Sequence, residues 1–510
     1  MKQKIYQSFP EFKKVLDNLK INKKKIILCH GVFDLLHAGH LNYFNEAKKK
    51  GEILIVGITA DKYVIKAPGR PLFKFNQRAA MVGALEIVDY VIKSDFVSAI
   101  NIINFLKPNI YFKGSDYKVL NNDVTGNIKK EKDAVELNGG IIQYSSGETF
   151  SSSAVLNTID DTSSEKKKFL STFKKKYNFD FIDEVIFKKI KKDKVLVFGE
   201  LILDKYIFTK NLGRSGKESI LTLEKTGENK YPGGSFAISN HVSNLVKNVS
   251  IFFISPDKCK KVDFCKSRLR QNIKLRKIVK KNYQTITKIK IIDLSSNSKV
   301  LGIYEFKDEE LNKSFYNKLR KILKKEIKKY DTILVSDYGH SMIDKKTAYE
   351  ISKISSKNII VNTQLNAANF GYHTIGKYKN CSCAIINELE LRHEMRSRHV
   401  DVKILIKKMS KNLNIKYLIV TAGNKGSFGY DSKRKLLFYC PSFAENIVDK
   451  IGAGDCYMAI FGIVWRHCKG DLSLAMFIAS LATTETLSSY GNENFVNLVN
   501  LKKRLLYTLK

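Results

Sequence analysis

Two histidines three residues apart, just after an apolar run, are the first residues whose types and spacing suit chemistry. They end the string Gly31-Val32-Phe33-Asp34-Leu35-Leu36-His37-Ala38-Gly39-His40, between a predicted first strand and a predicted first helix. A helix start offers N–H groups without intrahelical partners and the positive end of a dipole, so it receives phosphate well. Gly39 allows close backbone approach, and imidazoles at i and i+3 can face one phosphate. Their donors would stabilise the charge that builds on an α-phosphate under in-line attack. Taken alone, His37 and His40 read as a helix cap or a metal pair. A second candidate is Asp449-Lys450-Ile451-Gly452-Ala453-Gly454-Asp455, followed by an apolar helical run. Gly452, Ala453 and Gly454 would expose backbone N–H groups to a transferring phosphoryl group, and Asp455 would take the proton of an attacking hydroxyl. A glycine-rich loop ahead of a buried helix also arises for packing alone. Pro232-Gly233-Gly234 opens a helix where a sugar can approach the backbone. Asn387 and Glu390 follow a strand and offer oxygens to Mg²⁺ or its water. Thr421, Gly423 and Gly426 punctuate a strand end where a nucleotide can lie.

The elements that must position these residues follow from hydrophobic periodicity. Ile26-Ile27-Leu28 reads as a strand, Gly39 to Lys50 as a helix and Ile53 to Ile58 as a strand. Phe75 to Glu86 reads as a helix, Tyr90 to Ile92 as a strand and Val97 to Leu106 as a helix. Asn109 to Phe112 and Ile141 to Tyr144 complete the strands. This alternation predicts an α/β fold, a parallel sheet with helices on both faces. Asp160-Asp161-Thr162-Ser163-Ser164 is a polar break. A lysine-rich stretch follows with Phe169, Phe173, Tyr177 and Phe181 at near-helical spacing, the pattern of a linker and a packing helix. At Lys194 a fresh strand begins (Val195 to Phe198), and a second α/β pattern runs to the end. The expected organisation is therefore a first domain over 22–157, a connector over 158–193 and a second domain over 194–510, without internal repeats.

A chain of 510 residues is too long for one ordinary core, and 44% hydrophobic with 27% charged residues describes a globular protein. The eight cysteines include no CxxC pair, and Cys381 and Cys383 lack a second pair at zinc-site spacing. Free thiols in a reducing cytoplasm are the simplest reading. Met1 to Leu16 lacks the apolar core of a secretory leader. The longest apolar run, Met458 to Trp465, falls short of the roughly 20 residues that span a bilayer. A cytoplasmic protein without a membrane partner is expected. The formal charge of +39 suggests nucleic acid, but the lysines are spread along the whole chain. Grooves that follow a nucleic-acid backbone interleave aromatic platforms with the charge. Runs such as Lys23-Lys24-Lys25 and Lys166-Lys167-Lys168 read instead as solvated faces, and the basic surface favours anionic substrates only as a field. A noncatalytic nucleic-acid-associated protein is the alternative from a different class. Its mark would be a steep salt dependence of oligonucleotide binding. Trp465 reads as packing, and His340 and His373 as hydrogen-bonded loop residues.

The Gly31–His40 string resembles the GxFDxxHxGH signature of the cytidylyltransferase-like nucleotidyltransferases. Arg70-Pro71 and Gln77-Arg78 are similar to the basic residues after that family's second strand. Lys113-Gly114-Ser115-Asp116-Tyr117 resembles the KGxDY stretch of sugar-phosphate adenylyltransferases, and Phe150-Ser151-Ser152-Ser153 resembles the hydroxyl-rich helix start near the triphosphate. The resemblance implies a Rossmann-like domain in which Gly31, Phe33, Asp34 and Gly39 shape the nucleotide site. Lys113 and Arg78 would neutralise phosphate, and Ser151, Ser152 and Ser153 would bind the β- and γ-phosphates. It also implies bound Mg²⁺, a sugar phosphate that attacks the α-phosphate of ATP, with CTP as the other donor, and release of pyrophosphate. From residue 194 to about 505 the chain resembles the ribokinase-like (PfkB) carbohydrate kinases. Gly199-Glu200-Leu201-Ile202-Leu203-Asp204 is similar to the strand whose aspartate holds sugar hydroxyls. Ser336-Asp337-Tyr338-Gly339 is similar to a substrate-side loop. This implies an α/β domain with a small β lid, sugar binding by Asp204, Gly233, Gly234 and Asp337, and a homodimer through the lid near Ser219 to Lys225. Lys450 stands where that family usually has threonine in DTxGAGD, and Asn362-Thr363 replaces an Asp-Pro often found in heptose kinases. The pair resembles the bifunctional heptose-7-phosphate kinase/heptose-1-phosphate adenylyltransferases with domain order reversed. The implied function is nucleotide-sugar synthesis from sugar phosphates and nucleoside triphosphates. The alternative is a CTP- or ATP-dependent nucleotidyltransferase acting on a polyol or sugar phosphate, whose kinase-like domain only binds ligand.

Overall fold

Apolar runs such as Ile26-Ile27-Leu28-Cys29 and Ile53 to Ile58 are too continuous to leave one face wet, so they need a sheet covered on both sides. The computed structural model describes residues 3–64, 70–115, 127–146, 164–215, 218, 220–296, 298–307, 310–354, 358–444 and 447–509, and it builds such a sheet twice. The chain divides into two compact units, Met1–Ser164 with Val499–Lys510, and Glu165–Leu498.

The first unit runs β1 (Ile5–Tyr6), α1 (Phe9–Ile21), β2 (Ile26–Gly31), α2 (Ala38–Lys48), β3 (Ile53–Thr59), α3 (Phe75–Gly83), β4 (Tyr90–Ser94), α4 (Ile100–Leu106), β5 (Ile110–Lys113), α5 (Asn127–Leu137) and β6 (Ile141–Tyr144). Its six strands lie in the order β1-β4-β3-β2-β5-β6, all parallel. Alternate residues feed two cores. Ile27, Cys29, Val56 and Phe112 meet Phe44 of α2 on one face, and Leu28, Ile55 and Tyr111 meet Ile102 of α4 on the other. The first two elements lie before the predicted start at residue 22. Ser8 caps α1 by accepting the Glu11 N–H, and Phe12 and Leu16 bury its inner face. Strand β2 pairs with β3 on one side and β5 on the other, so the strand order reverses there. The crevice outside the carboxyl ends of such strands is where open α/β sheets bind ligands. Here those ends are Gly31 and Lys113.

The second unit begins with α6 (Ser164–Lys176) and short helical turns to residue 190. It continues with β7 (Lys194–Gly199), β8 (Leu201–Arg214), β9 (Leu221–Gly234), α7 (Ser235–Ser243), β10 (Asn248–Ser255), α8 (Lys260–Ser267), β11 (Ile273–Val279), β12 (Ile286–Asp293), β13 (Ser298–Glu305) and α9 (Lys313–Ile327). Then come β14 (Thr332–Asp337), α10 (Lys345–Ser352), β15 (Asn358–Thr363), β16 (Cys383–Asn387), α11 (Glu388–Glu394), α12 (Val402–Leu413), β17 (Tyr417–Thr421), β18 (Ser427–Asp431), β19 (Leu436–Cys440), α13 (Ala453–Trp465) and α14 (Leu472–Thr486). The aromatic stripe on α6 does pack: the Phe173 and Phe169 rings lie 4.2 and 6.0 Å from that of Phe477 on α14. Nine strands form one sheet in the order β11-β10-β7-β14-β15-β16-β17-β18-β19, parallel as far as β17. Its order reverses between β7 and β14, whose carboxyl ends carry Gly199 and Asp337. A Cβ on Gly199 would stand 2.1 Å from the Ser336 carbonyl oxygen, so only glycine lets these two strands close up. A separate four-stranded sheet, β13-β12-β8-β9, forms the lid. Among the described residues no helix is long and apolar enough to cross a membrane.

Candidate active sites

In the first unit the site grows from the turn between β2 and α2. Phe33 takes a positive φ of 49°, and its ring, 6% exposed, packs against Phe44, which fixes the turn from below. Asp34 is buried. One carboxylate oxygen accepts the Phe73 N–H at 3.1 Å, and the other lies 3.6 Å from the Arg70 guanidinium. His37 occupies the N-cap of α2 in extended conformation, and His40 follows in the first turn. Their rings stack with centroids 4.0 Å apart, while Phe33 meets His40 edge-on at 5.4 Å. Both imidazoles therefore share the helix start with the N–H groups of its first turn.

Lys113 reaches the same strand ends from β5. It brings a counter-ion that the sequence did not reveal. Glu131 of α5 stands 3.3 Å from the Lys113 ammonium, and it also accepts the Ala99 N–H and the Tyr111 hydroxyl. Burial raises the Glu131 carboxyl, but Lys113, His30 and these hydrogen bonds outweigh it and hold it below the usual range. Burial, with Lys113 beside it, pushes His30 down to about 4, so this imidazole is neutral near pH 7.

Arg78 stands apart from the expected phosphate role. It is fully buried and donates to the carbonyls of Phe73, Val32 and Thr59 and to Asp61. The guanidinium thus braces the signature turn from inside, because a buried arginine must have its fork of donors filled. Arg70 is the arginine beside Asp34, and its buried Nη2 has no hydrogen-bond partner among the described residues. Arg78→Ala should destabilise the protein by about 3–5 kcal/mol, since it leaves a cavity and takes donors from Asp61 and three carbonyls, that of Thr59 buried. Chemical denaturation of the variant against wild type measures this. Ser151, Ser152 and Ser153, with Asp116 and Tyr117, lie outside the described residues, as does residue 219.

In the second unit the first turn of α13 meets the carboxyl ends of β14 and β15. Gly452 caps the helix at φ +82°, where a Cβ would stand 2.3 Å from Asn492, whereas among the described residues outside the helix a Cβ on Gly454 would have the Gln364 amide as its nearest neighbour, at 3.9 Å. The loop is therefore rigid behind and open in front. Asp455 is buried, and one oxygen accepts the Tyr338 hydroxyl at 2.7 Å and the Gln364 amide at 2.8 Å. Burial first, then the nearby Asp204, push its carboxyl up to about 6, against the opposing effects of Tyr338, Lys288 and Gln364. Asp449 anchors the loop. It accepts the Tyr206 hydroxyl, the Lys299 ammonium and the N–H groups of Ile451 and Gly491.

The lid supplies Asp204, Gly233 and Gly234. The Asp204 carboxylate pairs with Lys290 at 2.5 Å and lies against the backbone of Gly233, where a Cβ would stand 2.3 Å from it. Gly234 takes φ +60° and leaves no room for a Cβ beside the Glu200 carbonyl. Lys288 of β12 pairs in register with Asp204 and so shares its face of the lid. Burial lowers its amine, against the pull of Asp204, Asp455 and Glu200. Lys288 was not singled out from sequence. Its signal was the alternation in Ile286-Thr287-Lys288-Ile289-Lys290, which sets both lysines on one face of a strand.

Asp337, Asn387 and Glu390 are placed differently from expectation. Asp337 points into a buried cluster: Lys377 and the Tyr378 hydroxyl bond one oxygen at 2.6 Å each, and the other accepts the Gly339 N–H. It shapes the loop from behind. Asn387 and Glu390 form a capping box at the start of α11. Glu390 accepts the N–H groups of Asn387 and Leu365, and burial pushes its carboxyl up to about 7. Their donor set does not fit a direct Mg²⁺ site, and no group of three or more His, Cys, Asp or Glu that could hold a metal occurs among the described residues. Thr421 donates weakly to the Ile386 carbonyl. Gly423 and Gly426 both take positive φ, and Gly426 is required because a Cβ would stand 2.2 Å from the Cys440 oxygen. His373 is hydrogen-bonded to the Asp337 carbonyl, while the buried Nε2 of His340 has no partner among the described residues.

Comparison with known proteins finds two families along the chain. Residues 28–201 match the family described as cytidylyltransferase-like, and residues 192–495 match the pfkB family of carbohydrate kinases. A bifunctional protein HldE from Helicobacter pylori is 39% identical over 152 residues, covering 29% of this chain and 30% of that protein. A bifunctional protein HldE from Campylobacter jejuni is 43% identical over 106 residues, covering 20% of this chain and 23% of that protein. These alignments span less than a third of the relatives' length. Phosphofructokinase-2 from Escherichia coli, solved in complex with potassium, superposes with a TM-score of 0.51 at 13% identity, covering 62% of this chain and all of that one. That likeness concerns the fold.

Proposed function

Because the chain belongs to the pfkB family of carbohydrate kinases through residues 192–495 and is cytidylyltransferase-like before them, we propose that it is a bifunctional enzyme of nucleotide-sugar synthesis. One unit phosphorylates a heptose-phosphate-like sugar with ATP. The other transfers a nucleotidyl group from ATP or CTP to a sugar 1-phosphate and releases pyrophosphate. The observation that carries the reading is Asp455, a buried carboxylate beside the Gly452–Gly454 loop, within electrostatic reach of the lid residues Asp204 and Lys288. In the kinase step the sugar hydroxyl loses its proton to Asp455. Its oxygen bonds the γ-phosphorus as the bond to the ADP oxygen breaks, while the α13 N–H groups hold the transferring group. In the other unit His37, His40 and Lys113 receive the charge on the α-phosphate as the sugar phosphate displaces pyrophosphate. Neither step forms a covalent enzyme intermediate. A homodimer over the lid belongs to the same proposal, since Leu212, Ile220, Leu221, Leu301 and Ile303 lie exposed there.

Pyrophosphate and ADP release from the intact protein with Mg²⁺ tests this. ATP and CTP are each offered with heptose 7-phosphate, heptose 1-phosphate and glycerol 3-phosphate. The expected result is ADP from ATP with heptose 7-phosphate and pyrophosphate with heptose 1-phosphate. Pyrophosphate from CTP with glycerol 3-phosphate alone, without ADP, would replace the reading by a polyol-phosphate nucleotidyltransferase with a kinase-like binding unit.

A further inference from the structure

Two donors, held on backbone that a shared Asn369 side chain ties together, converge on a single oxygen of Asp455. The Tyr338 hydroxyl stands 2.7 Å and the Gln364 amide 2.8 Å from Oδ1, and Oδ2 receives no hydrogen bond among the described residues. The anchoring is extensive. The N–H groups of Tyr338 and His340 both donate to the buried Glu200 carboxylate, and the Tyr338 carbonyl accepts from the side-chain amides of Asn366 and Asn369. The Gln364 N–H donates to the Asp337 carbonyl, and its own carbonyl accepts a second bond from Asn369. Neither donor is free to drift with its loop. Together they fill both lone-pair positions of Oδ1 and leave the acceptor capacity of the carboxylate on Oδ2.

Resting on the reading of Asp455 as the proton acceptor, we infer that Tyr338 and Gln364 are positioning residues that reserve Oδ2 for the sugar hydroxyl. They fix the carboxylate plane by filling Oδ1 from two directions, so the in-line geometry exists before substrate arrives. Gln364 also borders the loop itself: its amide would lie 3.9 Å from a Cβ on Gly454. The proton of the hydroxyl passes to Oδ2 as the O–P bond forms and ADP leaves with the γ-phosphate bond electrons. Asp455 returns the proton to solvent once the phosphorylated sugar departs.

The two donors also set the pH at which Asp455 works. Asp204 on β8, Lys288 on β12, Tyr338 after β14, Glu390 on α11 and Cys456 beside it are the titratable groups that act on this carboxyl. Burial and Asp204 raise it, and the two hydrogen bonds oppose that rise. Removing a donor therefore raises it further. Because the base must be ionised, the acid limb of kcat should move to higher pH.

The test measures kcat and KM for ADP formation from pH 5 to 9 with wild type, Tyr338→Phe, Gln364→Ala and Asp455→Asn, alongside thermal unfolding. Each positioning variant should unfold at the wild-type temperature and keep KM for ATP within about twofold. Its kcat should fall on the order of 10- to 100-fold with the acid limb shifted upward. Unmoved acid limbs in both variants, in a wild type that Asp455→Asn silences, would overturn the inference and leave the kinase assignment standing. A wild type no more active than Asp455→Asn would instead remove the kinase assignment itself.

Discussion

Asp455→Asn is expected to lower ADP formation from ATP and a sugar phosphate by about 10²- to 10⁴-fold, the usual contribution of a general base. The amide keeps the shape of the side chain and can still accept at its oxygen from Tyr338 and Gln364, but it cannot take a proton. Burial already makes this position poor for a charge and pushes the carboxyl up to about 6. Exchanging it for a neutral group should therefore leave unfolding unchanged or slightly favour the folded state. Loss of turnover with intact folding would place the defect in the chemical step. Steady-state ADP release and thermal unfolding on the same preparation measure both halves of that statement. Pyrophosphate release by the first unit should stay at the wild-type rate.

His37→Ala should lower pyrophosphate release by about 10²- to 10³-fold, the range seen when one preorganised donor to a developing anion is removed. His40→Ala should do the same, and His37→Ala/His40→Ala should fall by less than the product of the single effects, as expected of stacked rings proposed to act on one phosphate. Both residues lie at the start of α2, and neither ring belongs to the buried core of the sheet. Stability should change little, in contrast to Arg78→Ala. The comparison separates an arginine that braces the turn from histidines that face the reaction. Initial rates of pyrophosphate release under saturating nucleotide, with denaturation curves for each variant, provide the readout.

The architecture was legible wherever apolar runs were continuous. Ile26 to Cys29, Ile53 to Ile58 and Val195 to Phe198 became central strands because nothing but a doubly covered sheet can bury them. The two-residue β1 and its helix α1 escaped notice because so short a strand carries no period to detect. Of the candidate site, the glycines and histidines at the two helix starts were visible, since their spacing is local. What could not be read were partners supplied from far along the chain. Glu131 meets Lys113 across the sheet, Lys288 meets Asp204 only through strand register, and Tyr338 and Gln364 find Asp455 about a hundred residues later. Arg78, Asp337 and Glu390 were misplaced for the converse reason. Each carries a charge that suits phosphate, sugar or metal, and sequence alone does not show that buried backbone groups and neighbouring side chains already occupy it.

The central claim is that one chain carries two separate transferase sites. The most direct test follows ADP and pyrophosphate in parallel from wild type, Asp455→Asn and His37→Ala, with ATP, Mg²⁺ and the heptose phosphates. Wild type should form both products, Asp455→Asn should lose only ADP, and His37→Ala should lose only pyrophosphate. Loss of both products in either variant, or a wild type that forms only one of them, would contradict it.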